Sequence, residues 1–252
     1  MTQQTFGMKI DPQTPGVSFA ALVGVEGRKL IDTRAAVSIL GAVVVLGLLG
    51  GLVTLSGSGS SYGDTVYIVV AAVGWLLPIV GILLITTEWG QRAVVGTFTL
   101  EPRRGRVLAA KAVAVFVLGV VAFLAILVFA AVLTAIKGTS FHDAAGNVGG
   151  SLLQLMFLLA MGYAFAVLML NTPGAVVAFL IIPLFAVPLF VTILGWRSVA
   201  EWFDVRTVLD MFAVGHTDVS GSVWLHLLVA ALVWIGLPLA GGVFRVMNSE
   251  VK

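Results

Sequence analysis

The sequence predicts an all-α integral membrane protein with six transmembrane helices. Three observations carry that expectation. The 252 residues are 60% hydrophobic and only 10% charged, with a mean hydropathy of +1.11. Soluble domains carry about 25% charged residues, so lipid is the solvent for most of this chain. Six apolar runs of spanning length are separated by polar or Gly-rich stretches. Finally, eleven of the fourteen Lys and Arg residues fall on one face of the resulting topology.

In chain order, residues 1–17 read as a flexible tail, and residues 18–252 as a single six-span domain. The tail is polar and contains Pro12 and Pro15, unlike a cleaved signal peptide. Ser18 can cap a helix running to about Arg34. Phe19, Val23, Glu26 and Leu30 share one face of it, which suits an interfacial amphipathic helix; Arg28 and Asp32 point elsewhere. Glu26 on the apolar face is the odd member. Its local partner is Lys29, three positions on. The sharper alternative is a basic residue from the segment Glu88–Lys111.

Span one is expected over about 35–55, with Gly41, Gly47, Gly50 and Gly51 permitting close helix approach. A Gly/Ser turn follows. Span two is expected over 65–87, kinked at Pro78. Span three covers 107–136, with Arg106 and Lys111 snorkelling to headgroups at its start. After a Gly-rich loop, span four covers 151–170. Thr172 is positioned to cap span five, with Pro173 at its first position and breaks at Pro183 and Pro188. The stretch 196–222 holds two capping-box patterns, Ser198 to Glu201 and Thr207 to Asp210. Two short outer helices fit it, with Trp202 and Phe203 among their apolar surface. Span six covers 223–244.

An even number of spans puts both termini on one side. The basic residues of the N-terminal segment, of Glu88–Lys111 and of the C-terminal tail all lie on that side. Lys137, Arg197 and Arg206 lie on the other. The positive-inside rule therefore predicts cytoplasmic termini.

Several chemistries are disfavoured. There is no GxxxxGK[ST] phosphate loop and no GxGxxG, so any ATPase is a separate chain. No cysteine is present and no HExxH pattern occurs; a GxSxG match at Gly59 to Gly63 falls in the Gly/Ser turn between spans and does not read as a nucleophile elbow. His142, His216 and His226 read as solvated histidines near the outer face. A net charge of +2 gives no reason to expect nucleic acid. Every Asp, Glu, Lys and Arg is expected at or beyond a span end, which speaks against an intramembrane enzyme or ion relay. No catalytic, cofactor-binding or metal-ligating residue is assigned.

The segment Glu88–Lys111, EWGQRAVVGTFTLEPRRGRVLAAK, concentrates charge in a charge-poor chain. Span-end arginines alone would follow from topology. Its core does not: Gly96-Thr97, Thr99-Leu100 and Pro102 precede Arg103, Arg104, Arg106-Val107-Leu108 and Ala110-Lys111. This pattern resembles the cytoplasmic loop of type-2 ABC export permeases. The run Glu26-Gly-Arg28-Lys29-Leu30-Ile-Asp32-Thr-Arg34 resembles the interfacial helix of the same family.

The resemblance implies a prokaryotic plasma-membrane permease that pairs with itself or a sister permease and binds two cytoplasmic ABC ATPase subunits. ATP and Mg would sit on those partners. The loop between spans two and three would form a coupling helix. In it Glu88, Gly96, Thr97, Phe98, Thr99, Leu100, Pro102, Arg103, Arg104, Arg106 and Lys111 would form the ATPase interface, with Phe98 and Leu100 as apolar knobs. Glu26, Arg28, Lys29 and Arg34 would belong to the interfacial helix. Ser198, Glu201, Trp202, Phe203, Thr207 and Asp210 would belong to outer re-entrant helices. The alternative from another class is a membrane scaffold or assembly factor that binds a cytoplasmic partner through the same loop.

Overall fold

A computed structural model of the chain describes residues 17–56, 61–90, 103–141, 144–195, 202–213 and 221–248. Among these the regular structure is entirely helical. Six helical stretches are long and apolar enough to cross a membrane: Arg34–Ser56, Tyr62–Gly90, Arg104–Lys137, Asn147–Met169, Thr172–Leu194 and Gly221–Asn248. The chain is thus a multi-pass membrane protein by length and composition.

Helix α1 (Phe19–Asp32) begins where expected, with the Ser18 hydroxyl accepting from the Ala21 amide at 3.2 Å. Glu26 and Leu30 on its inner face are buried, while Arg28 and Asp32 are exposed. Helix α2 (Arg34–Ser56) is span one. Its buried Gly47, Gly50 and Gly51 face neighbouring helices: a Cβ on Gly51 would stand 2.5 Å from the Phe129 ring. Gly41 has open space around it and takes no part in this close approach.

Span two is two helices, α3 (Tyr62–Val73) and α4 (Leu77–Gly90), joined by a turn at 74–76. Pro78 has no amide to continue the α ladder, and the chain tightens to i→i−3 bonds at Leu76 and Ile79. The expected kink is present. The helix continues to Gly90, so Glu88 lies on its last turn.

Span three, α5 (Arg104–Lys137), has 34 residues. At 1.5 Å per residue it is about 51 Å long, well beyond a hydrocarbon core of about 30 Å. It starts three residues before the expected boundary, which puts Lys111 two turns inside the helix. Helix α6 (Ala144–Met169) starts inside the stretch expected to be a loop.

The expected cap of span five is corrected. Asn171, not Thr172, caps α7 (Thr172–Ile181), accepting from the Gly174 amide at 2.8 Å. Thr172 is the first helical residue, and its hydroxyl pairs instead with that of Thr86 at 2.7 Å. Span five continues through a π turn (Ile182–Ala186) into α8 (Val187–Leu194). Span six repeats the device: α10 (Gly221–Ala231), a π turn (Leu232–Gly236) and α11 (Leu237–Asn248). Wide turns at Pro183 and just before Pro238 absorb the missing donors without ending either helix.

Between spans five and six, α9 (Val205–Ala213) is one of the expected outer helices. Its cap is Asp204 rather than Thr207. The Asp204 carboxylate accepts from the Arg206 amide at 3.1 Å and from the Thr207 hydroxyl at 2.9 Å. Trp202 and Phe203 are also helical, whereas Ser198 and Glu201 lie outside the described residues.

Helix α6 is the axis of the bundle. It packs on α3, α4, α9 and α11, and two thirds of its span is buried (67%) against 17% for spans one, five and six. The α6 and α11 backbones approach closely: a Cβ on Gly242 would lie 2.6 Å from the Leu168 nitrogen and the Val167 carbonyl carbon. Backbone cannot step aside as a side chain can. Gly242→Ala is therefore expected to cost about 1–3 kcal/mol, read as a lower thermal-unfolding midpoint in detergent. Gly41→Ala, facing open space, serves as the unperturbed control.

Candidate functional site

At one end of the bundle four charged side chains close into a ring of alternating sign. Lys29 Nζ donates to Glu26 Oε1 at 2.7 Å and to Glu88 Oε1 at 2.7 Å. Lys111 Nζ donates to Glu26 Oε2 at 2.6 Å and to Glu88 Oε1 at 2.8 Å. The Leu84 carbonyl lies at 3.4 Å as a further acceptor for Lys111. The ring is neutral overall. Its inner half is dry: the side chains of Glu26 and Lys111 are 3% and 4% exposed, while Lys29 is 35% exposed.

The four members are supplied by three helices. Glu26 and Lys29 sit three apart on α1 and so share a face. Glu88 is carried on the last turn of α4. Lys111 is carried on the buried face of α5, between Leu108 and Ala114, which are themselves buried. Close by, the Tyr163 hydroxyl of α6 donates to the Leu108 carbonyl at 2.7 Å, tying the same part of α5 to the bundle axis.

The sequence offered two partners for Glu26, local Lys29 or a basic residue of Glu88–Lys111, and the structure shows both. It corrects the placement of Lys111. That side chain turns inward to two carboxylates instead of snorkelling to headgroups. Charge also extends deeper than the span ends, since Lys111 is buried within α5. Among the described residues, Glu26 and Lys111 are the only buried side chains of the Asp, Glu, Lys, Arg and His types, so no chain of such charged groups crosses the bundle.

Lys29 lies outside the spans, and its pKa is raised above the ordinary 10.5. Burial acts to lower it, but the hydrogen bonds that Lys29 donates to both carboxylates, together with their charge, outweigh that effect. A raised lysine contributes stability that is complete below 10.5 and lost as pH rises through the folded-state value. The thermal midpoint of the wild type is expected to fall more steeply than that of Lys29→Met as pH rises above 10.5.

The neighbouring arginines hold the ends of other helices. Arg104 Nη1 donates to the Val246 carbonyl at 2.6 Å, and Arg245 Nη1 donates to the Leu168 carbonyl at 3.0 Å. Both carbonyls belong to last helical turns, where acceptors are unpaired and a cation suits the dipole. Arg106 Nη2 donates to the Val17 carbonyl at 3.0 Å. The start of α1, the start of α5 and the end of α11 therefore meet at one end of the bundle. Arg103, Arg28 and Arg34 are exposed at this end and outside the ring. Lys137 marks the opposite end, donating to the Thr54 carbonyl.

Gly96, Thr97, Phe98, Thr99, Leu100 and Pro102, the core of the loop pattern, lie outside the described residues, as do His142 and His216. What the structure gives is the frame on both sides: Glu88 three residues before position 91, and Arg103 to Lys111 just after position 102.

At the end of the bundle away from the ring, His226 departs from the solvated reading. Its Nδ1 is buried, and its ring meets Trp202 edge-on with centroids 4.2 Å apart. No group of three or more His, Cys, Asp or Glu able to hold a metal occurs among the described residues. No protein-family model matches the chain, and a search of curated proteins finds no match either.

Proposed function

We propose that this chain is the membrane-spanning subunit of an ABC exporter that works with a separate ATPase. The observation that carries the reading is the ion-pair ring. It joins α1, α4 and α5 on either side of residues 91–102, the segment whose Gly-Thr-x-Thr-Leu-x-Pro pattern resembles an ATPase-docking loop. A push on that segment enters helices already bound to one another, so it moves spans two and three as a unit rather than bending one helix end.

In this reading the ring end of the bundle is cytoplasmic, as the positive-inside rule favours. ATP and Mg stay on the partner. The permease supplies the pathway, in a dimer with itself or a sister chain. The test is co-expression of the chain with phosphate-loop ATPases encoded beside it, followed by affinity purification, subunit counting and ATPase assay. A stoichiometric complex whose ATPase rate depends on the permease is expected. A complex with some other cytoplasmic protein, and none with an ATPase, would favour the scaffold reading instead.

A further inference from the structure

At the end of the bundle away from the ring, a cavity of about 200 Å³ lies between α3, α6 and the outer helix α9. Tyr67 lines it from α3, Trp75 from the turn after α3, Gln154 from α6, and Arg206 and Asp210 from α9. Tyr67 lies within α3 and Trp75 in the turn that follows it, so the two rings line the cavity at different depths along span two. The cavity thus runs from the exposed Arg206 and Asp210 toward the middle of span two.

Its polar groups divide by role. Gln154 is only 7% exposed, and its Oε1 has no hydrogen-bond partner among the described residues. A buried amide oxygen within a membrane span is costly unless a donor reaches it. The Tyr67 hydroxyl donates to Asp210 Oδ1 at 3.2 Å, fixing that carboxylate at the rim. Acceptors and aromatic faces therefore converge inside, which suits an N–H-bearing cation. At the rim, the Arg206 guanidinium makes no ion pair among the described residues and suits an anion, phosphate above all.

We propose that this cavity binds an aminoalkyl phosphate. The primary ammonium would lie among Gln154, Trp75 and Tyr67, with Asp210 beside it, and the phosphate on Arg206. The same chemistry is found in an ethanolamine lipid headgroup and in free phosphoethanolamine. The assignment stands whether or not the chain is an exporter.

Two arms separate the sources. The first titrates phosphoethanolamine into the purified full chain in phosphate-free detergent, followed by tryptophan fluorescence. The second uses native mass spectrometry after exchange into phosphatidylethanolamine or phosphatidylglycerol of equal chain length. Saturable binding in the first arm identifies the free compound as a ligand. Selective retention of phosphatidylethanolamine in the second identifies the lipid.

Whichever arm binds, Gln154→Leu and Arg206→Ala are each expected to weaken binding about tenfold. Phosphocholine or phosphatidylcholine, whose ammonium has no N–H to donate, should bind less well by a similar factor. Arg206 is exposed on a short helix, so Arg206→Ala keeps the test open if Gln154→Leu fails to fold. Absence of binding in both arms overturns the proposal. So does equal binding by a folded variant, or equal binding of the choline analogue.

Discussion

Lys111→Met is expected to be the most destabilising single change in the ring. It removes the one lysine that is buried and leaves Glu26 and Glu88 sharing Lys29 alone, with a net negative charge inside the bundle. Removing one partner of a buried ion pair typically costs about 3–5 kcal/mol, because the remaining charge stays desolvated. Methionine keeps the length and most of the volume, so little of the loss should come from packing. The measurement is the thermal-unfolding midpoint in detergent, read beside the Glu26→Gln single variant and the Glu26→Gln/Lys111→Met double variant. The double variant restores neutrality, with Lys29 still paired to Glu88, and is expected to recover much of the stability. Additive losses in the double variant would show that the two residues act independently, which a 2.6 Å contact does not allow.

That contact also marks how far the sequence could be read. The six spans were legible because uninterrupted apolar runs and scarce charge leave lipid as the only consistent solvent. Pro78 announced its kink, because a missing amide must be absorbed locally; in span five the break expected at Pro183 is a π turn instead, and Pro188 lies inside α8 without ending it. Half of the ring was legible too, since Glu26 and Lys29 are neighbours on any helix. The other half depends on how α1 lies across α4 and α5, which no local pattern encodes. Lys111 was misplaced for a related reason: with the helix start set at 107 it reads as a span-end anchor, whereas the start at Arg104 carries it two turns inward. The two cap corrections share a cause. Thr172 and Thr207 had suitable neighbours downstream, but Asn171 stood one residue and Asp204 three residues upstream with stronger acceptors, and the Thr172 hydroxyl had a tertiary partner in Thr86. The outer cavity was not legible at all. Gln154 was visible as a polar residue within a span, but its position opposite Arg206 and Asp210 arises only when the outer helix folds back onto α6.

If the proposed exporter reading holds, charged substitutions at Phe98 or Leu100 abolish export while expression and membrane insertion survive. The reasoning separates two kinds of failure. Lys111→Met attacks the fold, so any loss of activity should travel with a lower thermal midpoint. Leu100→Glu attacks a contact that, in the proposed reading, exists only with the ATPase. Its thermal midpoint in the absence of the partner should therefore match the wild type. An apolar anchor buried at the centre of an interface is commonly worth about 2 kcal/mol or more on truncation, and placing a carboxylate there adds an unpaired buried charge. Together these predict at least a thirtyfold weaker complex, by roughly 1.4 kcal/mol per factor of ten. Subunit counting should then show permease without ATPase, and permease-dependent ATP hydrolysis should fall to background. Arg103→Ala, at an exposed residue outside the ring, is expected to have a much smaller effect, because surface ion pairs contribute about 1 kcal/mol or less. Normal ATP-driven transport by Leu100→Glu would count heavily against a docking role for the segment. The ring would then be a structural clasp joining three helices, and the partner, if there is one, would have to bind elsewhere on this face.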